Sequence, residues 1–364
     1  MTSYQKASIS TGVSLAKGRA WKSQCWIIAL AIGLVFAFVM SLATGALSIP
    51  FVDVVSLLLS YLGFDNTLSL TTAQVIESIR LPRAVLGLLV GSALAVSGAT
   101  IQGVFRNPLA DPALIGVSGG AALAAVAVVV FGQSFIAYLP PWLQSYALLF
   151  AAFIGSLVVT LLVARIATSS LGMSISTLLL AGIAIGIITM SGVGVITYFA
   201  DDTQLRTLTF WQMGSLGGST WGVVMAAASL IVPACLLMMR YSSRLNAMLL
   251  GEAEAGHLGV DVQSVRFHLI SLSAMAVGVA VAISGMIGFV GLVIPHLVRM
   301  TLGPDHRYLL PASALAGALF LLVADMIART FLAPAEIPIG LVTAIIGGPF
   351  FIGLIIYRGQ HGAL

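Results

Sequence analysis

The spacing of charge constrains this chain more than anything else in it. Between Asp111 and Arg165 there is no ionised side chain, and long uncharged runs also cover 23–52, 84–105, 166–200, 207–239, 267–298, 308–324 and 337–357. A membrane helix needs about 20 apolar residues, and a charge at its centre costs at least ~2.5 kcal/mol, so intervals of this length measure out spans. Charged residues are 8% of the 364 and hydrophobic ones 59%, whereas a soluble domain carries roughly a quarter charged residues. Too few polar side chains remain to coat a water-soluble body, and the chain reads as an all-α polytopic membrane protein.

The run after Asp111 holds two helices, because Tyr138–Trp142, with Pro140 and Pro141, combines helix-stopping prolines with interfacial aromatics. The run over 267–298 fits one long tilted helix or two short ones hinged at Ser284 and Gly285. Two are chosen, because one would move Arg299, Arg307 and Arg358 to the other side. Ten spans result: 26–47, 84–104, 113–131, 146–165, 176–198, 221–239, 266–284, 286–302, 309–329 and 339–357. Residues 1–25 form a basic tail, 26–357 the ten-helix domain and 358–364 a second tail, with both termini on one side. If that side is cytoplasmic, all of the 16 Lys and Arg lie inside except Arg80, Arg83, Arg206 and Arg329, as the positive-inside rule requires. A cleaved signal peptide over 1–46 is the competing reading, but the apolar run is longer than a usual signal core.

Val90-Gly91-x-Ala93-x-Ala95-x-Ser97-Gly98 recurs 187 residues later as Val277-Gly278-x-Ala280-x-Ala282-x-Ser284-Gly285, with Pro108 and Pro295 ten residues beyond each copy. The copies fall in spans two and seven, so they cross the membrane in opposite directions. They imply an inverted duplication of spans two to five and seven to ten, an architecture of transporters.

Uphill transport needs an energy source. None of the lysines has the glycine spacing of a phosphate-cradling loop, Lys17 included. Ion coupling usually needs carboxylates at membrane depth, and only Asp325 qualifies, one helical turn from Arg329 and therefore read as a structural ion pair. Cys25 and Cys235 match no disulfide or zinc spacing. The largest inside loop, 240–265, reads as two short helices joined at Gly251, with Leu245, Met248, Leu249 and Leu258 seeking cover and acids at Glu252, Glu254 and Asp261. A helix lying on lipid prefers Lys and Arg on its polar face, so the loop reads as a docking surface for a soluble partner.

Several motifs in order carry a resemblance. They are Arg80-Leu-Pro-Arg83; Gly98-Ala-x-x-Gln102-Gly-x-Phe-Arg106-Asn107-Pro108-Leu109-Ala110-Asp111-Pro112 with Leu114-Ile-Gly116; Gly288-Phe-Val-Gly291-Leu-Val-Ile-Pro295-His296-Leu-Val-Arg299; Asp305-His306-Arg307; and Glu336-Ile-Pro338-Ile-Gly340. From residue 75 onward the chain resembles the FecCD permeases, membrane subunits of type II ABC importers for iron chelates, haem and cobalamin. The resemblance implies a homodimer of ten-helix subunits in the bacterial inner membrane. It also implies two separate cytoplasmic ATPase subunits that bind the ATP, a periplasmic binding protein, no enzymatic activity in this chain, no resident cofactor or metal, and no nucleic-acid partner. By the same resemblance Arg80, Arg83 and Arg329 meet the binding protein. Arg244, Leu249, Leu250, Gly251, Glu252, Glu254, Gly256, Leu258 and Gly259 couple to the ATPase. Thr168, Ser169 and Ser170 form an inner constriction of a path lined by Gly182, Gly186, Met190 and Tyr198. Within the family, Phe105–Pro112 with Asp111, Phe210–Gly218 and Leu250–Val260 are most similar to hemin-uptake permeases, which implies haem as cargo, with a ferric siderophore or cobalamin as the alternative. His257, His268, His296 and His306 read as packing or loop residues rather than iron ligands.

Overall fold

A computed structural model describes residues 3–45, 47–61, 63, 69–132, 136–144, 146–170 and 172–360. Residues 1 and 2 and the tail residues 361–364 lie outside it. The chain is helical almost throughout. In order come α1 (Ser3–Ala43), α2 (Phe51–Ser60), α3 (Leu70–Val75), α4 (Leu81–Phe105), α5 (Val117–Phe131), α6 (Ala147–Ala167), α7 (Ile175–Thr197), α8 (Asp202–Met213), α9 (Trp221–Arg240), α10 (Ser242–Leu249), α11 (Glu252–His257), α12 (Val262–Ser284), α13 (Val290–Leu302), α14 (His306–Thr330) and α15 (Ile339–Gln360). Besides these, the described residues hold a single helical turn at Pro141–Gln144 and one hairpin of two-residue strands, β1 (Thr168–Ser169) against β2 (Gly172–Met173).

Ten of these helices correspond to the ten expected spans: α1, α4, α5, α6, α7, α9, α12, α13, α14 and α15. Among the described residues, seven segments are long and apolar enough to cross a bilayer unaided. Val117–Phe131 and Val290–Leu302 are shorter, and each starts from irregular backbone packed inside the protein, the setting in which such backbone is tolerated at membrane depth. Several boundaries shift, α5 starting at Val117 rather than 113 and α13 at Val290 rather than 286. α1 stops at Ala43 rather than 47, and the second span begins earlier, because α3 and α4 are continuous through a π-helical stretch, Ile76–Arg80. Pro82 cannot donate to the carbonyl four residues back, and the backbone widens just before it.

Helix starts are set by side chains that accept the otherwise orphaned N–H groups. Ser174 caps α7, Thr220 caps α9, Asp261 caps α12 and Asp305 caps α14, while Asp201 and Gln204 form a reciprocal capping box on α8.

The inverted repeat is visible in the packing. Exchanging α4–α7 with α12–α15 as sets of spans maps each neighbour pair onto another: α4 against α14 onto α12 against α6, α5 against α6 onto α13 against α14, and α5 against α7 onto α13 against α15. The repeated glycines are the close-approach points. A Cβ at Gly91 would lie 2.4 Å from the Gly317 carbonyl oxygen of α14, and one at Gly278 would lie 2.2 Å from Ser156 Oγ of α6. Beyond that point the copies diverge. α4 continues to Phe105, so Pro108 falls in a loop, whereas α12 ends at Ser284 and Pro295 lies inside α13. The equal spacing of the two prolines therefore marks no common structural feature. α12 breaks because Gly285 has φ +70° and faces the Trp211 carbonyl, which would sit 2.0 Å from any Cβ there. The break at Ser284 and Gly285 is the hinge read from the sequence.

Candidate functional site

Two faces and one cleft hold the residues singled out above. One face, called basic here, carries Arg106, Arg165, Arg240, Arg244, Arg266, Arg299 and Arg307 at or near helix ends. The opposite face carries Arg80, Arg83, Arg206 and Arg329.

On the opposite face the arginines are arranged otherwise than a docking role implies. Arg80 is 6% exposed; its guanidinium donates to the carbonyls of Leu42 at 2.7 Å, Ala43 at 2.9 Å and Leu47. Arg329 is equally buried and donates to Ser41 O at 3.1 Å, Ser41 Oγ at 3.0 Å and Thr44 O at 3.0 Å. These are the last carbonyls of α1 and those just after it, which no further turn satisfies. Both arginines thus cap α1 and do not present free charge to a partner. Asp325, 1% exposed, pairs with Arg329 at 2.9 Å as the i, i+4 spacing suggests, and also with Arg83 at 2.9 Å. Arg83 reaches onward to the half-exposed Glu336 at 2.9 Å. Sequence reasoning missed the Arg83–Asp325 pair, because 242 residues separate the partners. It also gave no docking role to Arg206, which lies exposed on α8. Nearby, Tyr61 donates to Glu77 Oε1 at 2.6 Å, and this bond to a carboxylate pushes its phenol up to about 12.

On the basic face the loop after α9 is the expected helix pair. Leu245 and Met248 are fully buried, and Asn246 fixes α10 to the start of α14, donating to Asp305 at 2.6 Å and accepting from the His306 N–H at 2.9 Å. Gly251, at φ +130°, turns the chain into α11 with the Glu254 carboxylate folded over it. α11 ends with Gly259 left-handed, Val260 N–H closing onto Ala255 O at 3.0 Å, which is how helices commonly stop. The four apolar residues therefore divide: Leu245 and Met248 anchor the pair, while Leu249 and Leu258 stay exposed, as does Leu250 beside them. Arg244 stacks over Tyr241 at 4.9 Å, and Gly256 of α11 is exposed. Glu252 lies 3.5 Å from Arg106.

Between the faces, Gly186 and Met190 of α7 line a cleft of about 610 Å³ opposite Ala113, Gly116, Ser118 and Met286. The loop and Met286 come from two breaks in regular helix, a contribution that span reasoning does not reveal. Gly182 is not on the cleft: a Cβ there would lie 1.9 Å from Leu114 O, so it is a packing glycine. Tyr198 sits exposed at the far end of α7, and Thr168, Ser169 and Ser170 are exposed at its near end.

Residues chosen as marks of cargo have structural duties. Asp111 Oδ1 accepts from Ala113 N–H at 2.7 Å and caps the short turn Pro112–Ile115, a task serine also performs. The 210–218 segment staples α8 to the α12 break and to α15, with Ser215 N–H on Ser284 O at 2.8 Å and Ile339 N–H on Gly214 O at 3.0 Å. His296 and His306 are buried, His257 and His268 exposed; no group of three possible metal ligands occurs among the described residues.

Comparison with known proteins agrees with this architecture along the chain. The model of the FecCD transport family matches residues 33–357. The hemin transport system permease protein HmuU of Yersinia pestis is 49% identical over 284 residues, covering 78% of this chain and 84% of that protein. The vitamin B12 import system permease protein BtuC of Escherichia coli is 40% identical over 348 residues, covering 96% and 100%. A solved structure described as an inward-facing conformation of a metal-chelate type ABC transporter superposes with TM-score 0.78 at 35% identity, covering 91% of this chain and 98% of that one. The chain is a member of the FecCD transport family.

Proposed function

We propose that this protein is the membrane permease of an ATP-driven importer that carries haem inward, with ATP hydrolysed on separate ATPase subunits seated on the basic face. The observation that carries this reading is the helix pair α10–α11: fixed by Leu245, Met248 and Asn246, it still leaves Leu249 at 39%, Leu250 at 67% and Leu258 at 65% exposure. A rigid mount with an open apolar side on the face richest in Arg suits a soluble partner that pushes, and the positive-inside rule makes that face cytoplasmic, with both termini there. Coupling falls to Arg244, Leu249, Leu250, Gly251, Glu252, Glu254, Gly256, Leu258 and Gly259.

The exposed apolar surface of α7, including Ile183, Ile187 and Met190, suits a second copy of the chain, which would close the cleft at Gly186 and Met190 into a path on the dimer axis. Thr168, Ser169 and Ser170 stand at its inner mouth. A periplasmic binding protein docks on the opposite face through exposed charge, for which Arg206 is better placed than the buried Arg80 and Arg329 or the doubly paired Arg83, because docking pairs work by steering and register.

Haem is favoured over cobalamin by the higher identity to a hemin permease. Proteoliposomes holding the permease, its ATPase and its binding protein decide it: the binding protein gains a Soret band with hemin, and ATP drives hemin uptake. Uptake of cobalamin alone, with no Soret band, overturns the haem assignment. Uptake abolished by an uncoupler in ATP-loaded vesicles would return Asp325 to a proton-relay role.

A further inference from the structure

The inner end of α12 carries two polar side chains that neither the coupling surface nor the path accounts for. Arg266 is 2% exposed, although it lies one turn from the helix start. One of its Nη groups donates to the Glu252 carboxylate of α11, and the other donates to the Met173 carbonyl at 3.3 Å. Three residues earlier, Gln263 Oε1 accepts the Met173 N–H at 2.8 Å. Both backbone groups of Met173 are therefore gripped from the first two turns of α12. Met173 belongs to β2, whose partner strand is Thr168–Ser169. No slack exists beside it, because a Cβ at Gly172 would lie 2.6 Å from the Gln263 amide.

We propose that Arg266, seconded by Gln263, is the positioning residue that joins the ATPase-facing helix pair to the hairpin at the mouth of the path. The proposal rests on the permease reading above. A single buried side chain separates Glu252 of the coupling pair from the Met173 backbone, so a displacement of α11 cannot be absorbed by intervening residues. Nor can the guanidinium let go freely: releasing the carboxylate leaves a buried cation unpaired, which is far more unfavourable than losing a surface pair. Arg106, 3.5 Å from the same carboxylate, holds Glu252 from its solvent side. The hairpin therefore follows α11 as one body, and the ATPase signal reaches Thr168–Ser170 without passing through α7.

The test uses the full assembly in proteoliposomes and reads two quantities: cargo moved per ATP hydrolysed, and the nucleotide response of a spin label at Ser170→Cys in a Cys25→Ser background. Glu252→Gln and Arg266→Gln are each expected to lower cargo per ATP about tenfold, as loss of a charge-assisted bond allows, with the label response lost in both and nucleotide hydrolysis retained in Arg266→Gln, which lies off the coupling surface. The double variant is expected to be no worse than either single, the signature of one shared interaction. Gln263→Ala, which frees only the Met173 N–H, gives an intermediate loss. Glu252 is half-exposed, so its variant keeps the test open even where Arg266→Gln fails to fold. A normal ratio and a normal label response in Glu252→Gln overturn the linkage. Absence of ATP-dependent uptake by the unaltered protein overturns the permease reading, and the linkage with it.

Discussion

Asp325→Asn separates a structural ion pair from a proton relay at the one acidic residue buried within a span. The carboxylate is 1% exposed and meets Arg83 Nη2 at 2.9 Å, Arg83 Nε at 3.0 Å and Arg329 Nε at 2.9 Å. Replacing it leaves the buried Arg329 guanidinium without its anion, and the adjacent Arg83 with Glu336 alone. Breaking a buried pair by removing one partner costs about 3–5 kcal/mol, and an opposite unit charge about 4 Å away contributes about 4 kcal/mol at an effective dielectric of 20, which agrees. The loss should spread to α1, because Arg329 is also what caps its end. Thermal unfolding of detergent-solubilised protein, followed by size-exclusion fluorescence, reads the effect. Glu336→Gln is the control, since its carboxylate is half in solvent and such pairs contribute about 0–1 kcal/mol. Asp325→Asn should melt far below Glu336→Gln, while the molecules that remain folded keep their ATP-driven uptake. Unchanged melting with abolished uptake would refute the ion-pair reasoning and favour proton transfer.

Three further outcomes follow from the geometry. Gly182→Ala should destabilise by about 1–3 kcal/mol, as overpacking against backbone does, whereas Gly186→Ala, with nothing within 4 Å of the new methyl, should leave melting unchanged; equal effects would contradict the assignment of only one to the cleft. Leu250→Glu should abolish co-purification of the ATPase without altering melting, while Leu245→Ala should lower stability by about 2–5 kcal/mol through a buried cavity. Arg206→Glu should slow association with the binding protein at low salt and lose that effect near 0.5 M salt, while Arg80→Glu should reduce folded yield; a normal yield with weakened binding would restore Arg80 to the docking surface.

Residue type and order alone decided a good deal about this protein. Uncharged intervals located ten spans, because a bilayer penalises charge whatever the tertiary structure. The Arg/Lys asymmetry divided the faces, the repeated glycine motif marked spans two and seven, and the 240–265 loop declared itself by apolar residues placed among acids. Each of these is a local property read within one segment. Tertiary structure alone decided which charges are free. Arg80 and Arg83 are three residues apart in one motif, yet one is buried on the carbonyls of α1 and the other shares Asp325 and Glu336 across more than 240 residues. Leu245 and Leu249 have the same chemistry one helical turn apart, and only the packing of α10 against α4 and α14, with Leu245 over Gly103, buries one and bares the other. Burial and pairing depend on which distant elements meet, and a span pattern that satisfies the lipid leaves that choice to the close approach of backbones at points such as Gly91 and Gly317.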